Sequence, residues 1–272
     1  MKIRNINEYE IDEDSISRQI LVDFWNQQTI EKSKVLIVGA GALGNEVVKN
    51  LVLAGIGKIY IIDFDYVIKA NLNRCILFKK KDAELKTLKV KAISQNAKKI
   101  RVNKKTKIIP INGNLMDMNG DEDFFKDANL YISCLDNIAS RLKLNIISLI
   151  NKKPLVDGGM EGFQGYIRVT IPGKTACLEC DMSNEVVEER ISCSGKMLDN
   201  KLFLPLSSLS STTSIIGGLQ SQEVFKLLLD PEGNKLKSLA GKVLYYMGGV
   251  NYFSIVEVEK RKDCICNDFL VE

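Results

Sequence analysis

A glycine-rich turn between a buried strand and a helix limits the folds that this chain can adopt. Residues 34–38 (KVLIV) form a continuous apolar run, which is typical of a strand buried on both faces of a parallel sheet. Gly39, Gly41 and Gly44 follow in the pattern G-x-G-x-x-G, and a helix is predicted from there through Leu53. These glycines allow a tight turn and let backbone N–H groups approach a phosphate at the helix N-terminus. The sequence therefore predicts a nucleotide-binding strand–loop–helix unit.

Strands and helices alternate through the rest of the first half. Strands are predicted at 58–63, 106–111, 130–136 and 154–159, and helices at 17–30, within 79–107, at 124–129 and at 140–151. This alternation implies a parallel sheet with right-handed crossovers and helices on both faces. Residues 166–171 and 243–247 indicate added antiparallel strands, and 213–229 a long helix. The predicted fold class is α/β: a Rossmann-like, doubly wound, mostly parallel sheet extended by antiparallel strands, with a four-cysteine zinc knuckle.

The N-terminal region predicts neither export nor membrane insertion. It lacks the apolar stretch of a signal peptide, and nowhere do 18 apolar residues run consecutively. A cytoplasmic location and no membrane partner are therefore expected. Within the predicted helix 17–30, one apolar face is expected to consist of Ile20, Leu21, Phe24 and Trp25.

The amino-acid composition excludes several kinds of catalytic and metal site. The 272 residues include no His, which excludes Ser-His-Asp and Cys-His catalysis and any His-ligated metal. There are 38 Lys+Arg against 34 Asp+Glu, and a net charge of +4 is too small to argue for a nucleic-acid partner. The Lys-rich segment 79–107 is interpreted as a solvated helix face over a buried stripe of Val90, Ile93 and Ala97.

The residues after the second strand bear on which nucleotide is bound. Asp63 follows Gly44 by 19 residues, where an acid can accept hydrogen bonds from ribose hydroxyls. The fingerprint alone fits NAD, FAD or ATP. Asp65, Asn71 and Arg74 follow within a dozen residues. A dehydrogenase does not need that arginine, whereas an adenylating enzyme needs cations to stabilise charge at the α-phosphorus.

A second group of polar residues follows the fourth predicted strand. Asp136 and Asn137 come at its carboxyl end, with Arg141 in the next helix. Ligands of open α/β sheets bind at the carboxyl ends of strands, so Asp136 could hold Mg²⁺ against phosphates. Alternatively, Asp136 could cap the helix that starts near residue 138.

Four of the seven cysteines occur in two close pairs. Cys177 and Cys180 form C-x-x-C, and Cys264 and Cys266 form C-x-C. Four thiolates from two such pairs can build a closed tetrahedral zinc site. In a reducing compartment, close pairs indicate metal ligands or redox groups before disulfides.

Several sequence blocks, in order, resemble the ThiF/MoeB/HesA family, the bacterial relatives of ubiquitin-activating enzymes. The blocks are SRQI and KSKVLIVGAGALG within 17–44, AGIGKIYIIDFDYVIKANLNR at 54–74, CLDNIASRLKLN at 134–145 and GGLQSQEVFKLLL at 217–229. The resemblance implies adenylation, with Mg-ATP, of the C-terminal glycine carboxylate of a small ubiquitin-like or sulfur-carrier protein or peptide, with release of pyrophosphate. It implies one domain over 1–272, with an N-terminal helical segment (1–30), a nucleotide-binding half (34–160) and an acceptor-binding, crossover and zinc half (161–272).

The resemblance also implies residue roles. The residues assigned to nucleotide binding are Gly39, Gly41, Ala42, Gly44, Asp63, Asp65, Asn71, Arg74, Lys89, Asp136, Asn137 and Arg141. Those assigned to catalysis are Arg18, Arg74, Lys89, Asp136 and Cys193. Arg18 resembles the arginine that reaches the triphosphate of a neighbouring protomer, so a homodimer is expected. The glycine usual three positions before the lysine is replaced by Lys86.

The cysteines fit the same family with one departure. Members commonly carry a structural zinc held by two C-x-x-C pairs, and here the second pair has one spacer residue. Some members also carry a cysteine that takes the activated carboxylate, and Cys193 lies in a corresponding stretch between Arg190 and Lys196, which could lower its pKa. Cys193 could equally be a plain loop cysteine, and Cys75 and Cys134 are interpreted as packing residues.

Other interpretations stay open on the sequence. Within the family these are a peptide-modifying enzyme of natural-product biosynthesis, of the microcin type, and a tRNA threonylcarbamoyladenosine dehydratase, which the zinc-type cysteines disfavour. From other classes, an NAD-dependent oxidoreductase and a non-catalytic partner subunit are considered. Arg74 and Asp136 argue against the former, and together with Arg18 they argue for an active subunit.

Overall fold

The backbone is organised around an eight-stranded mixed sheet. The structure, a computed structural model, describes residues 14–182 and 207–269. The strands are β1 (Lys34–Val38), β2 (Lys58–Asp63), β3 (Lys107–Asn112), β4 (Leu130–Ser133), β5 (Leu155–Glu161), β6 (Gln164–Thr170), β7 (Lys242–Met247) and β8 (Tyr252–Glu257). Their order in the sheet is β3-β2-β1-β4-β5-β6-β7-β8. The first five strands are parallel and the last three antiparallel, so the predicted fold class is confirmed.

Helices cover both faces of the parallel part. They are α1 (Gln27–Lys32), α2 (Ala42–Leu53), α3 (Lys80–Glu84), α4 (Lys89–Ile100), α5 (Asp123–Asp127), α6 (Ile138–Ile150) and α7 (Ser210–Leu229). Alternate residues of β1 point to opposite faces: Val35 and Ile37 join the core under α2, α4 and α7, whereas Leu36 and Val38 join the core under α5 and α6. This two-sided burial explains the uninterrupted apolar run in the sequence.

The strand order places a crevice next to β1. The chain leaves β1 toward β2 and β3 on one side and later returns to β4 on the other, which makes the β1–β4 boundary a topological switch point. In register, Val38 lies between Ile62 of β2 and Ser133 of β4. The loops that follow these three strands therefore emerge side by side.

The N-terminal region corrects one prediction. In place of a helix over 17–30, the chain forms a 3-10 turn at Gln19–Leu21 and starts α1 only at Gln27. Phe24 has a φ of 66°, which a helix cannot accommodate, and Asn26 caps α1 by accepting a hydrogen bond from the Thr29 N–H at 3.1 Å. The predicted apolar face is wrong as well, because Leu21 and Phe24 are about half exposed.

Two other elements qualify the predictions. The stripe of Val90, Ile93 and Ala97 is buried along α4, as predicted for the Lys-rich segment, but that segment forms two helices, with α3 ending before Lys86. Strand β8 was not predicted, because most of its side chains are exposed on both faces and leave no alternating pattern. None of the helices within the described ranges is long and apolar enough to cross a bilayer.

Candidate functional site

A pocket of about 530 Å³ lies where β1, β2 and β4 end. Apart from Gly44, every residue predicted to bind nucleotide lines it. Other lining residues belong to none of the quoted sequence blocks: they include Gly113, Asn114, Met160 and Ser208. Sequence reasoning missed these because they come from separate loops that only the fold brings together.

The glycine loop forms the floor of the pocket. Gly39 has a φ of 98°, and a Cβ there would lie 2.4 Å from the carbonyl oxygen of Cys134. Gly44 lies beneath the loop, where a Cβ would meet the Gly39 carbonyl oxygen at 2.1 Å. At Gly41, which caps α2, a Cβ would have no atom of the described residues within 4 Å. The first and third glycines are therefore required by the protein's own packing, whereas the packing of the described residues puts no such requirement on the second.

Asp63 is held by the backbone of the two neighbouring loops. Its carboxylate accepts hydrogen bonds from the Ala40 N–H at 2.7 Å and the Asp65 N–H at 2.8 Å. Burial raises the pKa of Asp63, and the nearby Lys89 opposes that shift. The acid is thus fixed in orientation at the carboxyl end of β2.

Asn71 and Arg74 lie on a turn across the pocket from the loop. Asn71 is buried, and its side-chain oxygen accepts a hydrogen bond from the Ile68 N–H at 3.0 Å. The Arg74 guanidinium donates to the Ala70 carbonyl at 2.6 Å and to the Asn73 side chain at 3.0 Å. Both contacts are local and neither involves a carboxylate, so the turn presents a cation to the pocket.

Lys89 is held by the Asp65 carboxylate. Its ammonium lies 2.6 Å from an Asp65 carboxylate oxygen, and its backbone N–H donates to the Asp65 carbonyl at 2.8 Å. Lys86 has a φ of 46°, the left-handed conformation that glycine adopts most easily. Lys89 lines the pocket although Lys86 replaces the family's usual glycine.

Asp136 does not cap α6. That role belongs to Asn137, whose side-chain oxygen accepts a hydrogen bond from the Ser140 N–H at 2.8 Å. The Asp136 carboxylate is exposed to the pocket and accepts a long hydrogen bond, 3.3 Å, from the Asn137 side chain. Of the two alternatives for Asp136, capping is therefore wrong, and an exposed carboxylate is left at the end of β4.

Arg141 differs from Arg74 and Lys89 because its charged group is buried. It forms a buried ion pair with Asp157, donates to the Gly158 carbonyl at 2.9 Å and donates to the Leu135 carbonyl. Arg141 lines the pocket but is committed to the protein's own backbone.

Asn45 is a buried residue that sequence reasoning missed. Its amide nitrogen donates to the carbonyls of Ala40 (3.2 Å) and Gly41 (2.8 Å), and its oxygen accepts from the Leu77 N–H at 3.0 Å. It thereby ties the glycine loop to the segment that carries Arg74. A polar residue on the buried face of α2 was the available signal.

The four paired cysteines converge in a small buried cluster, and none of them lines the pocket. Their sulfurs lie within 4.8 Å of one another, and the closest pairs, Cys177–Cys264 and Cys180–Cys266, are 3.5 Å apart. A tetrahedral site with Zn–S bonds of about 2.3 Å spaces its sulfurs roughly 3.8 Å apart. The donor set and spacing fit zinc, and the single spacer in the second pair does not prevent convergence.

One predicted catalytic residue, Arg18, lies away from the pocket. Arg18 is exposed and does not line the pocket. Its neighbour Gln19 donates to the Ala54 carbonyl at 3.1 Å, which anchors this turn at the far end of α2 from the glycine loop. Cys193, with Arg190 and Lys196, lies outside the described residues.

A doubly wound sheet with a glycine loop at its switch point defines a Rossmann-like nucleotide-binding protein. The profile of the ThiF family matches residues 13–267, and the chain belongs to this family.

Sequence relatives include proteins with names from ubiquitin-like pathways. The chain is 37% identical over 154 residues to Ubiquitin-activating enzyme E1-like of Saccharomyces cerevisiae, a match covering 56% of this chain and 23% of that protein. It is 36% identical over 151 residues to SUMO-activating enzyme subunit 2 of Dictyostelium discoideum, covering 56% and 22%. It is 35% identical over 164 residues to the Nedd8-activating enzyme E1 catalytic subunit of Drosophila melanogaster, covering 56% and 35%. The chain thus matches about a fifth to a third of the length of these relatives.

Solved structures share the fold over nearly the whole chain. E. coli MccB with succinimide superimposes with a TM-score of 0.75 at 20% identity, over 93% of this chain and 74% of that one. PaaA superimposes with a TM-score of 0.70 at 20% identity, over 94% and 86%. At this identity the likeness establishes the common fold.

Proposed function

We propose that the chain catalyses ATP-dependent adenylation of the C-terminal carboxylate of a small ubiquitin-like or sulfur-carrier protein, or of a peptide, ending in glycine. The observation that carries the proposal is the shared pocket of Arg74, Lys89 and Asp136 around the glycine loop. An NAD-dependent oxidoreductase would need no such set of cations and acid. The named activities of the sequence relatives point the same way.

Each group of pocket residues has a separate role in binding ATP. Asp63 accepts hydrogen bonds from the ribose, and the backbone around Gly41 meets the phosphates at the N-terminus of α2. Asn71, Arg74 and Lys89 hold the triphosphate and stabilise the charge that develops at the α-phosphorus. Asp136, a hard oxygen donor, would hold Mg²⁺, which neutralises phosphate charge when bound.

The reaction itself needs no protein base. The acceptor carboxylate is already ionised near neutral pH, so its oxygen can attack the α-phosphorus directly. The new bond forms an acyl-adenylate while pyrophosphate leaves, and positioning and charge neutralisation supply the catalysis. A chain without histidine is therefore suited to this chemistry.

The test is ATP–pyrophosphate exchange with an acceptor ending in Gly-Gly, such as the product of a small open reading frame beside the gene. Exchange should require the free C-terminal carboxylate, and the C-terminally amidated acceptor should give none. Asp136→Ala should abolish exchange, whereas Asp121→Ala, which changes an exposed acid outside the pocket, should not. Undiminished exchange by Asp136→Ala would refute the role given to this carboxylate.

A further inference from the structure

The backbone next to Asp136 is held by the buried guanidinium of Arg141. Strand β4 ends at Ser133, so the carbonyl of Leu135 has no partner in the sheet. It accepts instead from the Arg141 guanidinium, which also donates to the Gly158 carbonyl at 2.9 Å. The peptide unit immediately before Asp136 is therefore fixed by Arg141.

Arg141 is in turn held by Asp157 on β5. The two side chains form an ion pair in which Arg141 is 8% exposed and Asp157 2% exposed. Removing the carboxylate would leave an uncompensated buried cation, which a guanidinium avoids by moving toward water or another acceptor. The orientation of Arg141 therefore depends on Asp157.

Tyr166 on β6 fixes the second oxygen of the same carboxylate. Its hydroxyl donates to Asp157 at 3.0 Å, and its ring lies 5.6 Å from the Arg141 guanidinium. Burial and the Asp157 charge raise the pKa of Tyr166, so the hydroxyl stays a donor. Gly159 makes room for the ring, since a Cβ there would lie 2.3 Å from it.

These contacts form a continuous series from β6 to the pocket. Asp136 itself is exposed, and its side-chain hydrogen bond to Asn137 is long, so its position is set through its backbone. We propose that Asp157 and Tyr166 are positioning residues for Asp136 that act through Arg141 and the Leu135 carbonyl. The inference rests on the proposed function, in which Asp136 holds a divalent cation beside the nucleotide.

The first experiment measures Mn²⁺ binding by electron paramagnetic resonance with a non-hydrolysable ATP analogue present. Asp157→Asn should weaken Mn²⁺ affinity roughly tenfold, as for other residues that orient a metal ligand, and Tyr166→Phe should weaken it less. In an Asp136→Ala background, neither change should cause a further loss, because the ligand through which they act is gone. Losses that simply add would overturn the inference.

A matched control comes from the same helix. Asn145 lies one turn after Arg141 on α6, is fully buried, and accepts a hydrogen bond from the Leu178 N–H at 3.1 Å, away from the pocket. Asn145→Ala should lower stability and leave Mn²⁺ affinity unchanged. If it shifts Mn²⁺ affinity as much as Asp157→Asn does, the effect is general loosening and the inference fails.

Amide hydrogen exchange separates this inference from the proposed function. Asp157→Asn and Tyr166→Phe should speed exchange of the segment 134–140, whatever ligand the pocket takes. If exchange there is unchanged in both variants, the positioning role is refuted even when the enzyme adenylates. If amide hydrogen exchange rises in Asp157→Asn and Tyr166→Phe while Asp136→Ala binds Mn²⁺ normally, the positioning of the loop is supported. The metal role of Asp136 in the proposed function is then refuted.

Discussion

Gly39 and Gly41 stand two residues apart in the same loop and face different constraints. Alanine at position 39 would combine a left-handed φ of 98° with a contact of 2.4 Å to a backbone oxygen that cannot move independently. Gly39→Ala should therefore destabilise the fold by about 2 kcal/mol or more. Gly41→Ala should fold normally, because its Cβ meets no atom of the described residues, but it should weaken ATP binding at the loop.

Chemical unfolding and calorimetric titration with ATP distinguish the two variants. Gly39→Ala should lose stability in the absence of nucleotide, and Gly41→Ala should lose affinity without losing stability. Equal stability of Gly39→Ala and the unmodified chain would show that the loop can relax away from Cys134.

At the level of single residues, motif spacing predicted which residues line the pocket. It did not predict the buried residues that hold them in position. The predicted ligands lie in short sequence motifs, several of them at or directly after the end of a strand, such as Gly39, Asp63 and Asp65. Asn45 contacts Leu77, and Asp157 on β5 contacts Arg141 on α6. The roles of Asn45 and Asp157 therefore depend on tertiary contacts. No local pattern encodes such contacts, which is why both residues were missed.

The end of α3 shows a helix terminated by a residue other than glycine. Leu85 caps α3, and Lys86 follows in the left-handed conformation with its side chain exposed. Lys86→Gly should relieve that strain and stabilise the fold by roughly 1 kcal/mol relative to Lys86→Ala, which keeps the strain and removes the ammonium. Urea unfolding of the two variants measures the difference.

ATP binding supplies the control for this prediction. Lys89 is held by Asp65 independently of the side chain at position 86, so both variants should bind ATP as the unmodified chain does. If Lys86→Gly is less stable than Lys86→Ala, backbone strain at this helix end is not the dominant effect.

The four cysteines join two separate elements. Cys177 and Cys180 follow β6, and Cys264 and Cys266 lie near the end of the described chain, so a metal there would tie both segments to α6 through contacts with Leu149. Removing a bound metal that contributes about 2 kcal/mol should lower the melting temperature by roughly 4–8 °C. Amide exchange should rise at 176–182 and 258–268 and stay unchanged at the glycine loop.

Metal analysis and Cys266→Ser provide the checks. The purified chain should contain one zinc per molecule, and Cys266→Ser should lose it and match the chelated protein in stability. A metal-free chain with an unchanged melting temperature after chelation would leave the cysteines as packing residues.

Elements with buried, periodic faces were predictable, and peripheral ones were not. Strand β1 and helix α4 could be predicted from the sequence because burial fixes which positions are apolar. Strand β8 pairs only with β7 among the described strands and is mostly exposed, so burial puts no pattern on its sequence. The N-terminal turn was mistaken for a helix because Phe24 carries an apolar side chain in a conformation that apolar periodicity does not report.

On the scale of the whole molecule, the two halves meet at the pocket. The sheet is continuous from β5 to β6, and Gln220 of α7 donates to the Ser133 carbonyl at 2.8 Å and the Val156 carbonyl at 3.2 Å. The late helix therefore holds the end of β4, three residues before Asp136, and the start of β5, next to Asp157. Changes in the second half can reach the nucleotide site through these contacts.

Arg18 does not line the pocket of its own chain. Its turn is anchored at the C-terminal end of α2, and the 12 residues of that helix, spanning about 18 Å, separate it from the glycine loop. An arginine side chain cannot bridge that distance, so we expect Arg18 to serve a triphosphate only in a homodimer in which each protomer completes the other's site.

Complementation tests this arrangement. Arg18→Ala and Asp136→Ala should each be inactive alone in pyrophosphate exchange. Mixing and re-equilibrating equal amounts should restore about a quarter of the unmodified activity, because half of the dimers are mixed and each mixed dimer has one intact site. Two copies of the same variant cannot complement, so each variant incubated alone is the control. A mixture that stays inactive while mass measurements show mixed dimers would mean that Arg18 does not serve the neighbouring site.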